Sequence, residues 1–305
     1  MLVSVPMLPP SVSHLPGSRL VDPPWADPPG FAIGLRRIAP EAWLEGGEAR
    51  PWARKDRLFR AVPDKVWGET QGSRPGQAEA AGLVTGALGL RARPDLRPPL
   101  LVAARRVPDD LVLMERRAGD WAVSALSLSA GSFFTADEAL GKTLEALHGP
   151  VPGFAERFLF RVRRIFDHLP VEDIVERRNW SVVAWRGLYA PEASAARSRA
   201  LRQRPRQPGA GLYIRCERQT LRRLPQTGGL LFTIRIHLTP LRALAANPEA
   251  AAVFAQAWAS APEDFRHYKG LAAVAPGVEA FLAECRLPRA ETVTDPSHKA
   301  LHDPR

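Results

Sequence analysis

Seven histidines are the side chains here that could ligate a metal or move a proton near neutral pH. His14, His298 and His302 lie in polar or Pro-rich ends. His168 sits near a helix end, where a cation is favoured, and reads as a cap. His267 lies in a polar stretch before Tyr268-Lys269-Gly270-Leu271. His148 differs: it ends an apolar helical run directly before Gly149-Pro150-Val151-Pro152-Gly153. Two prolines in three residues fix the outgoing backbone, and a ligand needs a fixed approach to its metal. On the residues alone two readings compete. One is a histidine serving the last helical carbonyls, and it leads; the other is a metal ligand.

The second constellation is Cys216-Glu217-Arg218-Gln219-Thr220-Leu221-Arg222-Arg223-Leu224-Pro225. Alternation puts Arg218 on the face of Ile214 and Cys216, and Glu217 on the opposite face with Tyr213 and Arg215. A buried arginine needs a partner. That partner is a core carboxylate, a ligand carboxylate such as a haem propionate, or bound oxygen. Arg235 and His237 lie on the more polar face of the next strand, where they are expected to meet Arg215 or Glu217, most simply as cross-strand pairs. Asn179-Trp180-Ser181 sets an amide beside a large aromatic at a strand start, either lining a pocket or belonging to plain core.

The elements that must position these residues follow from periodicity. Helices are expected at 53–61 and 75–91, then a hairpin of strands 111–117 and 121–129 turning at Ala118-Gly119-Asp120. Thr135-Ala136-Asp137-Glu138 reads as a capping box opening a helix that runs to about His148. A second helix follows, with Phe154, Phe158, Val162, Ile165, Phe166 and Leu169 as one buried stripe. Strands are expected at 180–185, 212–218 and 230–238, and helices near 247–260 and 276–285. The polar insert 192–209, rich in Arg, Ala and Ser, reads as a mobile loop between strands. This order gives an α+β class with a half-buried antiparallel sheet and flanking helices in a single domain. Residues 1–24 and 287–305 read as flexible tails around a domain at 25–286.

Composition removes several classes. Of 42 basic residues five are lysine and 37 arginine, spread along the chain without a long basic run, which argues against nucleic-acid binding at a net charge of +10. Two cysteines, Cys216 and Cys285, are too few for an iron–sulfur cluster and fit a reducing cytoplasm. The uncharged stretch 121–136 is shorter than a membrane span and rich in Ser and Gly. Neither a phosphate loop, a dinucleotide fingerprint, a zinc spacing nor a nucleophile elbow is present.

Six stretches together resemble one family. They are Ile33-Gly34-Leu35-Arg36; His148-Gly149-Pro150-Val151-Pro152-Gly153-Phe154-Ala155-Glu156-Arg157; Arg178-Asn179-Trp180-Ser181; Glu217-Arg218-Gln219-Thr220-Leu221 with Arg223-Leu224-Pro225; Phe232-Thr233-Ile234-Arg235; and Tyr268-Lys269-Gly270-Leu271. Their order and spacing are similar to the α subunit of haem-dependent oxidative N-demethylase. The resemblance implies a PAS-like fold holding haem b, and oxidation of a small secondary amine such as dimethylamine with oxygen and electrons from NADPH. It implies reductase-type partner subunits carrying flavin mononucleotide, a [2Fe–2S] cluster and tetrahydrofolate. Under it His148 becomes the expected haem ligand, with Cys216 and His237 as fallbacks. Arg218, Glu217 and Asn179 become the expected catalytic residues, and Trp180 and Arg235 join His148 in cofactor binding. A haem-based gas or redox sensor without turnover is the competing function, and a nucleic-acid-binding protein the third.

Overall fold

The computed structural model describes residues 31–46, 48–91, 95–202 and 206–286. Both expected tails lie outside them. The chain runs β1 (Arg36–Ile38), α1 (Pro51–Ala61), α2 (Pro63–Val66), β2 (Trp67–Glu69), α3 (Arg74–Ala87), α4 (Pro99–Ala104), β3 (Asp110–Arg117) and β4 (Asp120–Ser127). It continues through α5 (Ala136–Ala139), α6 (Leu144–His148), a π-turn at Ala155–Leu159, α7 (Phe160–His168), β5 (Ile174–Val183) and α8 (Ala193–Arg202). Then come β6 (Tyr213–Arg223), β7 (Leu230–Pro240), α9 (Pro248–Ser260), α10 (Glu263–Tyr268) and α11 (Ala275–Arg286). The strands form one open sheet of order β1-β5-β6-β7-β3-β4-β2 with every pair antiparallel. This is the expected α+β class with helices on both sides of the sheet. Among the described residues no helix is long and apolar enough to cross a membrane.

Period-two alternation sends each strand's odd and even residues to separate cores. On one face Val175, Leu221, Ile234 and Ile236 pack with Leu144, Phe154 and Phe166 under α5, α6 and α7. On the other, Trp180, Ile214 and Cys216 pack with Phe254, Phe265 and Phe281 of α9, α10 and α11. The same side continues as Leu111, Leu231 and Trp43 under α3 and α4. Phe254 and Phe281 are fully buried, and truncating either to alanine should cost roughly 3–5 kcal/mol. The β3–β4 hairpin turns at Ala118 and Gly119, both at positive φ (49° and 85°), as a two-residue hairpin turn requires.

Four expectations need correction. The capping box at Thr135 is present, with Glu138 returning to the Thr135 amide at 2.9 Å, but its helix ends at Ala139. Gly141 takes φ +77°, and residues 141–142 exchange backbone hydrogen bonds with Val123. Thr143 then caps α6 separately, its hydroxyl accepting from the Ala146 amide. Edge pairing to β4 thus outcompetes helix continuation. Second, the insert 192–209 is not a plain loop: α8 forms there and buries Ala196, while residues 203–205 lie outside the described set. Third, β5 starts at Ile174 rather than 180, because its first turn pairs with β1 and with Arg222 of β6. Fourth, β7 pairs Arg235 with Arg218 and His237 with Cys216, so both share the Arg218 face and do not meet Arg215 or Glu217.

Candidate functional site

The middle of β5, β6 and β7 carries two polar layers on opposite faces, separated by one residue of register. On the first, Asn179 lies opposite Glu217, with Arg177 opposite Gln219 and Ser181 opposite Arg215. Glu217 is the hub. It accepts hydrogen bonds from Asn179 Nδ2 (3.0 Å) and Gln219 Nε2 (3.1 Å). Lys269 Nζ donates to Asn179 Oδ1 at 3.2 Å, arriving from the turn after α10. Arg215, 1% exposed, spends its guanidinium on Ser132 Oγ and on the carbonyls of Ala130, Gly187 and Leu188. Burial pushes Arg215 down to about 10. Burial would raise the Glu217 carboxyl, but Lys269, a Ser132 hydrogen bond, Arg215 and Asn179 hold it below its ordinary value. Burial lowers Lys269, only partly offset by Glu217, and Arg177 and Arg215 add to the fall.

Ser132 is held there by its neighbour. Phe133 sits at φ +69°, a region that costs a bulky residue roughly 1–3 kcal/mol. Its amide donates to the Ala190 carbonyl at 2.7 Å, and residue 132 bridges to Ala190. Such strain persists only where surrounding structure over-determines it, and here it aims the hydroxyl that both Arg215 and Glu217 use.

His148 belongs to the same face. Its Nδ1 lies 2.8 Å from the Leu144 carbonyl oxygen, and a carbonyl can only accept, so Nδ1 carries the proton. The ring stacks on Phe154 at 4.2 Å between centroids and 9° between planes. Nε2 is therefore an unprotonated lone pair, and it makes no hydrogen bond with the described residues. Burial keeps the imidazole neutral by lowering its pKa, opposed by the Leu144 bond and reinforced by Arg177. Arg177 links the two parts, since its charge acts on His148 and it is itself acted on by Glu217 and Tyr268. The helix-cap and ligand readings of His148 are thus not exclusive: the bond to the last turn is what frees the other nitrogen.

The second layer is built differently. Arg218, 3% exposed, donates to Glu176 through Nε, to the Trp43 carbonyl through Nη1 (2.8 Å) and to the Ala42 carbonyl through Nη2. Each guanidinium nitrogen already holds a protein oxygen. Glu45 stands 3.1 Å from Arg218 Nε and 2.7 Å from His237 Nε2. Burial would raise Glu45, but the His237 hydrogen bond and the charges of His237, Arg218 and Arg178 bring it down to about 2. Arg235 donates to the Gly46 carbonyl at 3.2 Å. Trp180 is core between Phe254 and Phe265, at 5.7 and 6.1 Å. Cys216 lies in the same core, its thiol pushed up to about 12 by burial, which disfavours a thiolate ligand.

Of the residues singled out in the sequence, the fold therefore brings His148, Asn179 and Glu217 to one face and Arg218, Trp180 and Arg235 to the other. Arg177, Arg215, Ser132 and Lys269 were not among them. Arg215 was legible as the neighbour two before Glu217 on its strand, and Lys269 sat in a quoted motif. Arg177 was hidden by starting β5 too late, and Ser132 carries no local signal. Among the described residues no three His, Cys, Asp or Glu side chains converge as a metal cage needs, so what this face offers a metal is one imidazole.

A model of the family described as haem-dependent oxidative N-demethylase, alpha subunit-like, matches residues 69–278. That is more than two thirds of the chain, and it contains His148, the Glu217 layer and the strand residues of the Arg218 layer, but not the Ala42–Gly46 segment that closes that second layer.

Proposed function

Since the chain belongs to the haem-dependent oxidative N-demethylase alpha subunit-like family, we propose that it is a haem-binding oxidoreductase subunit acting on a small secondary amine such as dimethylamine. The observation that carries this reading is His148, a neutral imidazole fixed at Nδ1 and by stacking, with Nε2 left over. The residues fit the group. His148 would hold the iron through that nitrogen, Phe154 with Leu147, Val151 and Phe158 of the same core would supply apolar walls, and Arg177 would supply a cation for a propionate. Haem b, when bound, supplies the oxygen and electron chemistry.

The chain's own residues would bind and orient. Leu144 and Phe154 hold the His148 ring. Arg177, Arg215 and Lys269 make the face electropositive, so a secondary amine is favoured there as the neutral base and sheds its proton to solvent before binding. Glu217 would accept the amine N–H, while Asn179 and Gln219 keep its carboxylate in place. Arg218 belongs to the framework in this reading. A PAS-like description of the sheet, a cytoplasmic location, and partner subunits carrying flavin mononucleotide, [2Fe–2S] and tetrahydrofolate complete the proposal.

Reconstitution with haem tests it. The purified chain should take up haem and show a Soret band. His148→Ala should lower haem affinity at least tenfold and shift that band, and added imidazole should restore part of it. A colourless reconstituted protein overturns the haem reading. A normal spectrum in His148→Ala with loss in His237→Ala or Cys216→Ala overturns the ligand assignment. Oxygen uptake driven by amine and NADPH with a reductase partner separates turnover from sensing.

A further inference from the structure

A shallow cleft open to solvent, enclosing only about 50 Å³, lies between α8 and the segment after α10. The α8 side contributes Ala193, Ala196 and Ala200, with Arg197 at its rim. Phe133, the residue held at positive φ, forms another wall, and Lys269 is part of the lining. The cleft and the Glu217 layer thus share one side chain. Lys269 has three N–H donors, and the only hydrogen bond it makes with the described residues is to Asn179. The charges acting on it are one carboxylate, Glu217, and two guanidiniums, Arg177 and Arg215. Asp110 also acts on Arg215, so Lys269, Arg177 and Arg215 together face two carboxylates, Glu217 and Asp110. Positive charge therefore exceeds negative around a partly buried ammonium, and an anion in the cleft would relieve the excess. Alanine side chains leave room for an aliphatic body beside that ammonium, and the Arg197 guanidinium at the rim favours the same sign of ligand.

We propose that this cleft is a binding site for a short-chain aliphatic carboxylate, its head on Lys269 and its chain along the alanine face of α8. The site borders the Glu217 layer through Lys269 and does not require haem. Isothermal titration of the full chain with acetate, propionate and butyrate, at constant ionic strength, tests it. Affinity should rise about fourfold for each added methylene, as burial of a CH₂ predicts. Butyramide, which keeps the shape and lacks the charge, should bind at least tenfold more weakly than butyrate. Lys269→Met should weaken butyrate at least tenfold. Ala193→Leu, which fills the cleft and leaves every charge in place, should do the same and covers the case in which Lys269→Met fails to fold. A flat chain-length series, equal binding of the amide, or native-like affinity in a folded Ala193→Leu overturns the proposal.

Discussion

Glu217 and Arg218 are consecutive residues of one strand, yet their two sides of the sheet use charge in opposite ways. On the Arg218 side the charges close on themselves: Glu176, Glu45 and two backbone carbonyls take the guanidinium, and His237 takes Glu45. On the Glu217 side three cations, Arg177, Arg215 and Lys269, act on the site of one carboxylate; Asn179, Gln219 and Ser132, rather than a salt bridge, hold it among the described residues, and His148 Nε2 makes no hydrogen bond with them. Framework charge is complete within the chain. Binding charge leaves donors and sign unspent. Burial alone does not tell the two apart, since Arg215 is as buried as Arg218; what separates them is the inventory of partners.

The comparison would break most visibly at Arg218. Arg218→Met should destabilise the protein by about 3–5 kcal/mol in urea unfolding, because Glu176, 1% exposed, loses its closest counter-charge. Remaining folded protein should still bind haem normally; a loss of under 1 kcal/mol would mean that the layer is not framework.

Next in size is a pH effect on the same side. Asp109 is fully buried, neither carboxylate oxygen has a hydrogen-bond partner among the described residues, and burial raises it to about 6. Lys55, whose ammonium donates to the Asp109 carbonyl at 2.6 Å, is lowered by burial to about 8. The folded state keeps the Asp109 proton longer than the unfolded one. Stability should therefore fall as pH rises from about 4 to 6, and recover above about 8 as Lys55 deprotonates. Asp109→Asn should remove the acid-side fall, by about 1–3 kcal/mol in pH-dependent unfolding; an unchanged slope would place the titration elsewhere.

Glu217→Gln is the smaller counterpart. The side chain keeps its shape and amide neighbours, so unfolding should lose only about 1 kcal/mol at neutral pH. The sign follows from its lowered pKa: the carboxylate's contribution is present above the ordinary glutamate value and disappears as pH falls through the folded one. With the carboxylate gone the positive excess grows, and butyrate should bind several-fold more tightly. Weaker binding would show that Glu217 does not oppose the anion.

Much of this was legible beforehand. Alternation in 212–218 separated Glu217 from Arg218 correctly, and the capping box and the β3–β4 hairpin formed where their local chemistry placed them. Register was not legible. One strand's period says which residues share a face, but only pairing says which face of the neighbour meets it, and that is why Arg235 and His237 were placed against the wrong partners. The core carboxylate that Arg218 holds, Glu176, lay in a segment read as outside the strand. The anchoring of Ser132 depends on a backbone conformation at Phe133 that phenylalanine rarely adopts, and no sequence pattern announces it.

The sheet also has a consequence for behaviour in concentrated solution. β1 covers only Ile174–Glu176 of β5, and among the described residues no strand pairs with the same edge from Arg177 to Val183. Beside that stretch sits the Lys269 turn, tied to it by the bond to Asn179. An uncovered strand edge offers its amides and carbonyls to any similar edge that meets it. Lys269 is in this sense a guard against self-association as well as a charge. A variant that releases the turn should stay folded in dilute solution and form oligomers as its concentration rises, with light scattering increasing well below the unfolding temperature.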